Sequence, residues 1–259
     1  MGFFRRTVLI AARLLGVNPR ALIHTLMGVP YFFKDLVGYA KLVPKNASFP
    51  VKMGDIFPVY HDRFDTAGVA SGHYFHQDLW AAKLIYARNP EVHVDVGSRV
   101  DGFISHLLVF RSVTVVDVRD LNSTVPGLSF RQGDITALEF NDGSLESVSC
   151  LHAIEHIGLG RYGDSLDYDG WRRGLRELER VLKPGGTLYL GVPIGRERVC
   201  FNAHRVFSPV TICNAVPLLS LVSFMYVDDL GELRRGERDF SDLPSMEYGC
   251  GLFEFCKEG

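Results

Sequence analysis

Apolar and polar positions change rhythm along this chain of 259 residues. From residue 76 onward, short apolar runs alternate with amphipathic stretches. His76–Arg88 places Leu79, Ala82 and Tyr86 close to a 3.6-residue period, which predicts a helix ended by Asn89-Pro90. Strands are predicted at Glu91–Val96, Val113–Asp117, Ser147–Leu151 and Thr187–Val192. Between the last two, Trp171, Leu175, Leu178 and Leu182 form one apolar stripe and predict a helix over Trp171–Leu182. Lys183-Pro184-Gly185-Gly186 stops it, because proline cannot continue a helix and glycine accepts positive φ. Leu219–Val227 and Gly249–Cys256 follow with no helix between them and predict an antiparallel pair at a sheet edge. Apolar strands alternating with helices imply an α/β domain whose parallel sheet is covered on both faces. Such sheets bind ligands at the carboxyl ends of their strands, so the chemistry belongs in the loops that follow them.

The first 75 residues have a different pattern and are expected to form an N-terminal helical extension and connector, with the main domain over 76–259. Thr7–Leu15 predicts a short amphipathic helix. It packs on the main domain or, helped by Arg5, Arg6, Arg13 and Arg20, rests on an anionic membrane surface. Arg13 interrupts the apolar stretch, against a signal peptide. Pro30, Pro44, Pro50 and Pro58 are expected to break any long helix, leaving a helix over Tyr31–Leu42 and an irregular connector over Pro44–Asp62.

Composition narrows the classes. Apolar residues at 47% allow a substantial core and exclude global disorder. Lys+Arg 28 against Asp+Glu 30 leaves a formal charge of -2, without the basic footprint of a nucleic-acid binder. The five cysteines, at 150, 200, 213, 250 and 256, show no C-x-x-C and no metal-ligand spacing; they read as reduced thiols of a cytoplasmic protein, and no metal ligand is assigned.

The loop after the first predicted strand reads Asp95-Val96-Gly97-Ser98-Arg99-Val100-Asp101-Gly102. A P-loop fails, because Phe103 and Ile104 follow Gly102 where Lys and Ser/Thr are needed. A dinucleotide G-x-G-x-x-G is weakened by Arg99 at its middle glycine. A nucleoside cofactor without phosphates tolerates Asp95, and Asp117, at the end of the second strand, suits ribose hydroxyls. Gly133-Asp134-Ile135 pairs an acid for an adenine amino group with an apolar face for the ring.

These segments resemble the class I S-adenosylmethionine-dependent methyltransferases. The resemblance rests on HVDVGSRVDGF, VTVVDVRDL, RQGDITALEF, SVSCLHAIEHIGLGRYGD and LERVLKPGGTLYLGVPIG, in that order over about residues 76–259. Within that superfamily, DLW, EHIGLGRYGD and VPIGRERVCFNAHRVFSP look like an uncharacterised, DUF268-like branch, some of whose members are associated with surface-polysaccharide genes. The resemblance implies a Rossmann-like, doubly wound, mostly parallel seven-stranded sheet with an antiparallel edge strand. It implies S-adenosylmethionine as cofactor, held by Asp95, Gly97 and Ser98 at the methionine end, Asp117 at the ribose, and Asp134 and Ile135 at the adenine. Leu151 and His152 would close the floor. Arg99 and Asp101 stand where the family usually has glycine, and Glu146 where Asp is frequent; Arg99 either intrudes on the cofactor or turns away to bind a substrate anion.

The segment Leu151–Asp169 is rich in polar groups. A hydroxyl acceptor needs a base near neutral pKa, so His156 and then His152 are the catalytic candidates. Glu155-His156 resembles the pair that helps hold a divalent ion in ubiquinone-type O-methyltransferases, but His152 stands where those enzymes have glutamate, so a metal is not favoured. Arg99, Tyr162, Asp164, Asn202, His204 and Arg205 are the candidate acceptor-binding residues. The expected function is O-methylation of a sugar or glycan intermediate. A non-catalytic module of the same fold is the alternative, and a nicotinamide oxidoreductase, which the KPGG and Gly133-Asp134 elements do not fit, is the third.

Overall fold

A computed structural model describes residues 19–243 and 245–259. The helix expected over Thr7–Leu15 lies outside them. The chain divides into two compact units, Met1–Val69 and Ala70–Gly259.

In the first unit, helix α1 (Pro19–Leu42) begins twelve residues before the expected Tyr31 and passes through Pro30. The expectation that Pro30 would break it is corrected. Packing offsets the donor that proline removes. Gly28 brings the helix against the connector so closely that a Cβ there would lie 1.8 Å from the Tyr60 carbonyl oxygen. The Phe32 and Tyr60 rings meet edge-on at 5.3 Å, and Arg63 reaches Asp35 at 2.8 Å. The connector is irregular apart from two short turns, Met53–Asp55 and Asp62–Phe64. No described helix is long and apolar enough to cross a membrane.

The second unit is built on an eight-stranded sheet in the order β3-β2-β1-β4-β5-β10-β8-β9. Its strands are β1 (Val94–Val96), β2 (Val113–Asp117), β3 (Leu128–Gln132), β4 (Leu145–Leu151), β5 (Leu182–Ile194), β8 (Leu219–Val227), β9 (Leu233–Gly236) and β10 (Gly249–Lys257). The first five are parallel, and β10 runs antiparallel between β5 and β8. The expected antiparallel pair is therefore present, but β9 extends it and takes the edge, giving eight strands where seven were expected. A separate hairpin, β6 (Arg198–Cys200) with β7 (His204–Val206), leads into α5 (Pro209–Ala215).

Helix α2 (His73–Arg88) and the helical turns ending in α3 (Ser105–Leu108) cover one face, with Trp80, Ile85, Phe103 and Leu107 buried against Val113, Val115 and Tyr189. Helix α4 (Gly170–Val181) covers the other. Its Trp171, Leu175 and Leu178 are buried with Val148, Leu188 and Leu190; Leu182, the last residue of the predicted stripe, already opens β5. One buried charge ties helix to sheet. Glu254 on β10 is 4% exposed, accepts Arg88 at 2.6 and 2.8 Å, and accepts the Ser223 hydroxyl at 2.7 Å. Removing one partner strands the other in the interior. Arg88→Ala is expected to cost about 2 kcal/mol, less than a fully buried pair because Arg88 is partly exposed. Urea denaturation of the single variant and of Arg88→Met with Glu254→Gln checks this, the double variant recovering most of the loss.

Candidate functional site

Strand order reverses at β1, whose neighbours are β2 and β4. Crevices form at the carboxyl ends of strands where order reverses. A hollow, partly open to solvent, lies there. Val96, Gly97, Val116, Asp117, Val118, Arg119, Gly133, Ile135, His152, Ala153, His156, Ile157 and Tyr162 line it. The turns after β1, β2, β3 and β4 thus converge on one hollow.

Gly97 leaves β1 at φ +78°, and a Cβ there would lie 2.8 Å from the Ala153 Cβ. Both the backbone angle and the approach of the β4 turn require glycine. Beneath it, Asp95 is wholly buried and does not line the cavity. Its carboxylate accepts the Ser98 backbone N–H at 3.0 Å, the Ser98 hydroxyl at 2.6 Å and the Ser149 hydroxyl at 2.5 Å. Ser98 Oγ in turn accepts the Leu151 N–H at 3.0 Å. Asp95, Ser98 and Leu151 therefore shape the turn from below, and of the residues expected at the methionine end Gly97 faces the hollow. Burial pushes the Asp95 carboxyl up to about 6, against the Ser149 and Ser98 hydrogen bonds.

Asp117 reaches the cavity, but its carboxylate is taken by Arg119. Nε and one terminal nitrogen of Arg119 donate at 2.9 and 2.7 Å, and the Arg119 backbone N–H adds a third bond at 2.8 Å. The Arg119 guanidinium lies 4.8 Å from the centre of the Tyr162 ring. Arg119 is absent from the sequence-derived set; the signal was there in Asp117-Val118-Arg119, where a turn lets the third residue fold back on the first. Arg99 faces elsewhere. It is exposed, pairs with Asp101 at 2.7 Å and lies 5.3 Å from the Tyr74 ring centre, outside the cavity. Ile135 lines the hollow, whereas Asp134 caps its own turn, accepting the Thr136 N–H and hydroxyl at 2.8 Å each.

After β4 the chain enters a buried ionic cluster. His152 has φ +52°, and its Nδ1 lies 2.7 Å from Glu155 Oε1. His156 Nδ1 donates to the Ala203 carbonyl at 2.7 Å, which leaves Nε2 as the unprotonated nitrogen of that ring, 3.6 Å from Glu155 Oε1. Burial lowers the His156 imidazole, with Glu155 and the Ala203 carbonyl opposing, so it is neutral at pH 7. Arg161 also donates to Ala203 O, at 2.9 Å. Tyr162 meets His156 edge-on at 5.6 Å.

The remaining acceptor candidates divide. Asp164 is occupied in its own loop, accepting the N–H groups of Gly158, Gly160 and Tyr162. Arg205 is buried and donates to the Ile157 carbonyl at 2.6 Å, pinning the same loop. Neither offers free donors or acceptors to a ligand in the hollow. Asn202 is exposed between β6 and β7, and His204 packs against Tyr248 with ring centres 5.1 Å apart.

Residues 134–231 match the family model described as Caenorhabditis protein of unknown function, DUF268. No curated protein matches the sequence. Solved structures match its fold. One is the Burkholderia thailandensis 1,6-didemethyltoxoflavin-N1-methyltransferase with bound 1,6-didemethyltoxoflavin and S-adenosylhomocysteine, at TM-score 0.52 and 14% identity, covering 71% of this chain and 79% of that one. Another is the [4+2]-cyclase SpnF, at TM-score 0.51 and 13% identity, covering 90% of this chain and 96% of that one. The chain therefore has the class I methyltransferase fold, and over residues 134–231 it matches a family whose function is unknown.

Proposed function

We propose that this chain is an S-adenosylmethionine-dependent methyltransferase whose acceptor is a hydroxyl of a sugar or glycan intermediate. The observation that carries the reading is the convergence of Gly97, Asp117 and Ile135 on one hollow at the sheet's switch point. The cofactor's residues fit: a turn where a Cβ would fill the approach, an acid at a strand end, and an apolar slot formed by Val118 and Ile135. When bound, S-adenosylmethionine supplies an activated methyl group.

This chain's own task is then to align the acceptor, exclude water and take a proton. Asp117 would hold ribose hydroxyls once Arg119 swings off its carboxylate. His156 presents a neutral imidazole fixed by the Ala203 carbonyl, which suits it to accept the acceptor's proton at Nε2. His156 and Tyr162 line the hollow, with the Arg161 guanidinium 5.2 Å from the Tyr162 ring centre, and this aromatic and polar surround supports the sugar class.

A second reading, a non-catalytic binding module, is favoured by the Asp117–Arg119 pair, which closes the ribose acid. Isothermal titration with S-adenosylhomocysteine is expected to give one site in the micromolar range. Absence of heat and of thermal stabilisation at millimolar ligand overturns the proposal. His156→Ala is expected to keep that binding and lose at least about 100-fold in methyl transfer to a hydroxyl acceptor; unchanged transfer removes His156 from the base role.

A further inference from the structure

Beside the hollow lies a group of donors that the proposed methyl transfer does not use. His73 opens α2, His152 follows β4, and Cys250 is the second residue of β10. One ligand atom of each lies within 4.8 Å of both others. The two imidazoles are stacked, with ring centres 5.4 Å apart and their planes 2° from parallel. Cys250 is fully buried and is a free thiol.

His152 supplies an independent pointer to a ligand. Its side chain is 5% exposed, and Nδ1 is committed to Glu155 at 2.7 Å. Nε2 is buried and has no hydrogen-bond partner. A buried imidazole nitrogen without a partner is costly as a donor and as an acceptor. The Glu155 contact matches a recurrent arrangement: a carboxylate takes one ring N–H and turns the other nitrogen toward a metal.

We propose that His73, His152 and Cys250 form a binding site for a borderline-soft divalent metal, zinc foremost, with Glu155 orienting His152. Two imidazoles and a thiolate select zinc over magnesium and calcium, which require oxygen donors. A tetrahedral zinc with bonds of about 2.0–2.3 Å holds its donors roughly 3.5 Å apart, so the three side chains close inward by about an ångström on binding. The thiol loses its proton to solvent as the metal–sulfur bond forms. Three protein donors leave the fourth position to an exchangeable ligand. In this arrangement His152 is a ligand, and His156 alone holds the base role. The three residues come from distant parts of the chain, so no local spacing reveals them.

The full chain, stripped with chelator and dialysed against zinc chloride, is expected to retain about one equivalent of zinc by elemental mass spectrometry. Cobalt(II) in its place is expected to show tetrahedral d–d bands and a thiolate-to-cobalt charge-transfer band. Cys250→Ser is expected to abolish the charge-transfer band, and His73→Gln to weaken zinc by at least about tenfold. Glu155→Gln is expected to weaken it by about 10–100-fold. If Cys250→Ser fails to fold, His73→Gln decides, because His73 is only partly buried. Failure to retain stoichiometric metal, or a cobalt spectrum unchanged in Cys250→Ser and His73→Gln, overturns the site. None of these readouts requires cofactor binding or methyl transfer, so the site stands or falls separately from the proposed activity.

Discussion

Asp117→Ala is expected to weaken S-adenosylhomocysteine binding by about 100-fold, whereas Arg119→Ala strengthens it by about two- to fivefold. Hydrogen bonds to a charged group contribute roughly 1.5–3 kcal/mol, and each 1.4 kcal/mol is a factor of ten. A carboxylate that takes ribose hydroxyls therefore accounts for about two orders of magnitude. Arg119 competes for that carboxylate with two side-chain bonds at 2.9 and 2.7 Å. The arginine is half-exposed, and exposed pairs are worth about 0–1 kcal/mol net, so freeing Asp117 returns a few-fold at most. The opposite signs separate two roles for one contact. If both variants weaken binding alike, the pair is a scaffold for the turn and Asp117 does not hold the ribose. Calorimetric titration of the two variants, with circular dichroism to verify folding, makes the comparison.

The parts of the site legible in the sequence were those dictated by local rules. A short β-branched run ending in an acid placed Asp117 at a strand end, and β2 matches its expected bounds. Gly97 was legible because a glycine directly after a strand lets a ligand approach the backbone closely, and the structure adds that its φ is positive. What failed to show was burial and distance. Asp95 carries a charge in the sequence, but only the folded packing of Ser98 and Ser149 encloses it. Arg205 reads as a free cation until the Ile157 carbonyl is brought to it from 48 residues away. Arg99 leaves its expected place, and Arg119 enters the site unforeseen, for the same reason: each follows the nearest carboxylate, Asp101 for one and Asp117 for the other. In the fold, the insertion of β10 between β5 and β8 depends on long-range pairing that no local period encodes. The four residues of β9 give too short a run to signal a strand.

Asp95→Asn is expected to change the chain's stability relative to the native sequence by about 3 kcal/mol between acid and neutral pH, in favour of the variant as pH rises. The native carboxyl is pushed from its ordinary 3.8 up to about 6, chiefly by burial. Between those values the folded chain binds more protons than the unfolded one, so the contribution of Asp95 is complete below about pH 4 and is lost as pH rises through about 6. Two pH units correspond to roughly 3 kcal/mol. Asparagine cannot ionise, yet keeps an acceptor for the Ser98 N–H, so it escapes that loss. The neighbouring imidazole explains why a comparison of variants is needed. His93 Nε2 lies 3.0 Å from Ser149 Oγ and Nδ1 lies 2.8 Å from Ser147 Oγ. Because Ser149 gives its proton to Asp95, the His93 Nε2–H donates to Ser149 and Nδ1 accepts from Ser147. Burial holds His93 down to about 3 and neutral, so its contribution is complete above about pH 6.5 and falls as pH drops toward 3, opposite in sign to that of Asp95. The two partly cancel in the native chain, and the difference between native and Asp95→Asn isolates the carboxyl. Urea denaturation of both proteins from about pH 3.5 to about pH 7.5 reads that difference. A gap that stays constant across the range would show that Asp95 ionises in the folded chain as it does in the unfolded one, and that the three hydrogen bonds beneath the Gly97 turn fully offset its burial.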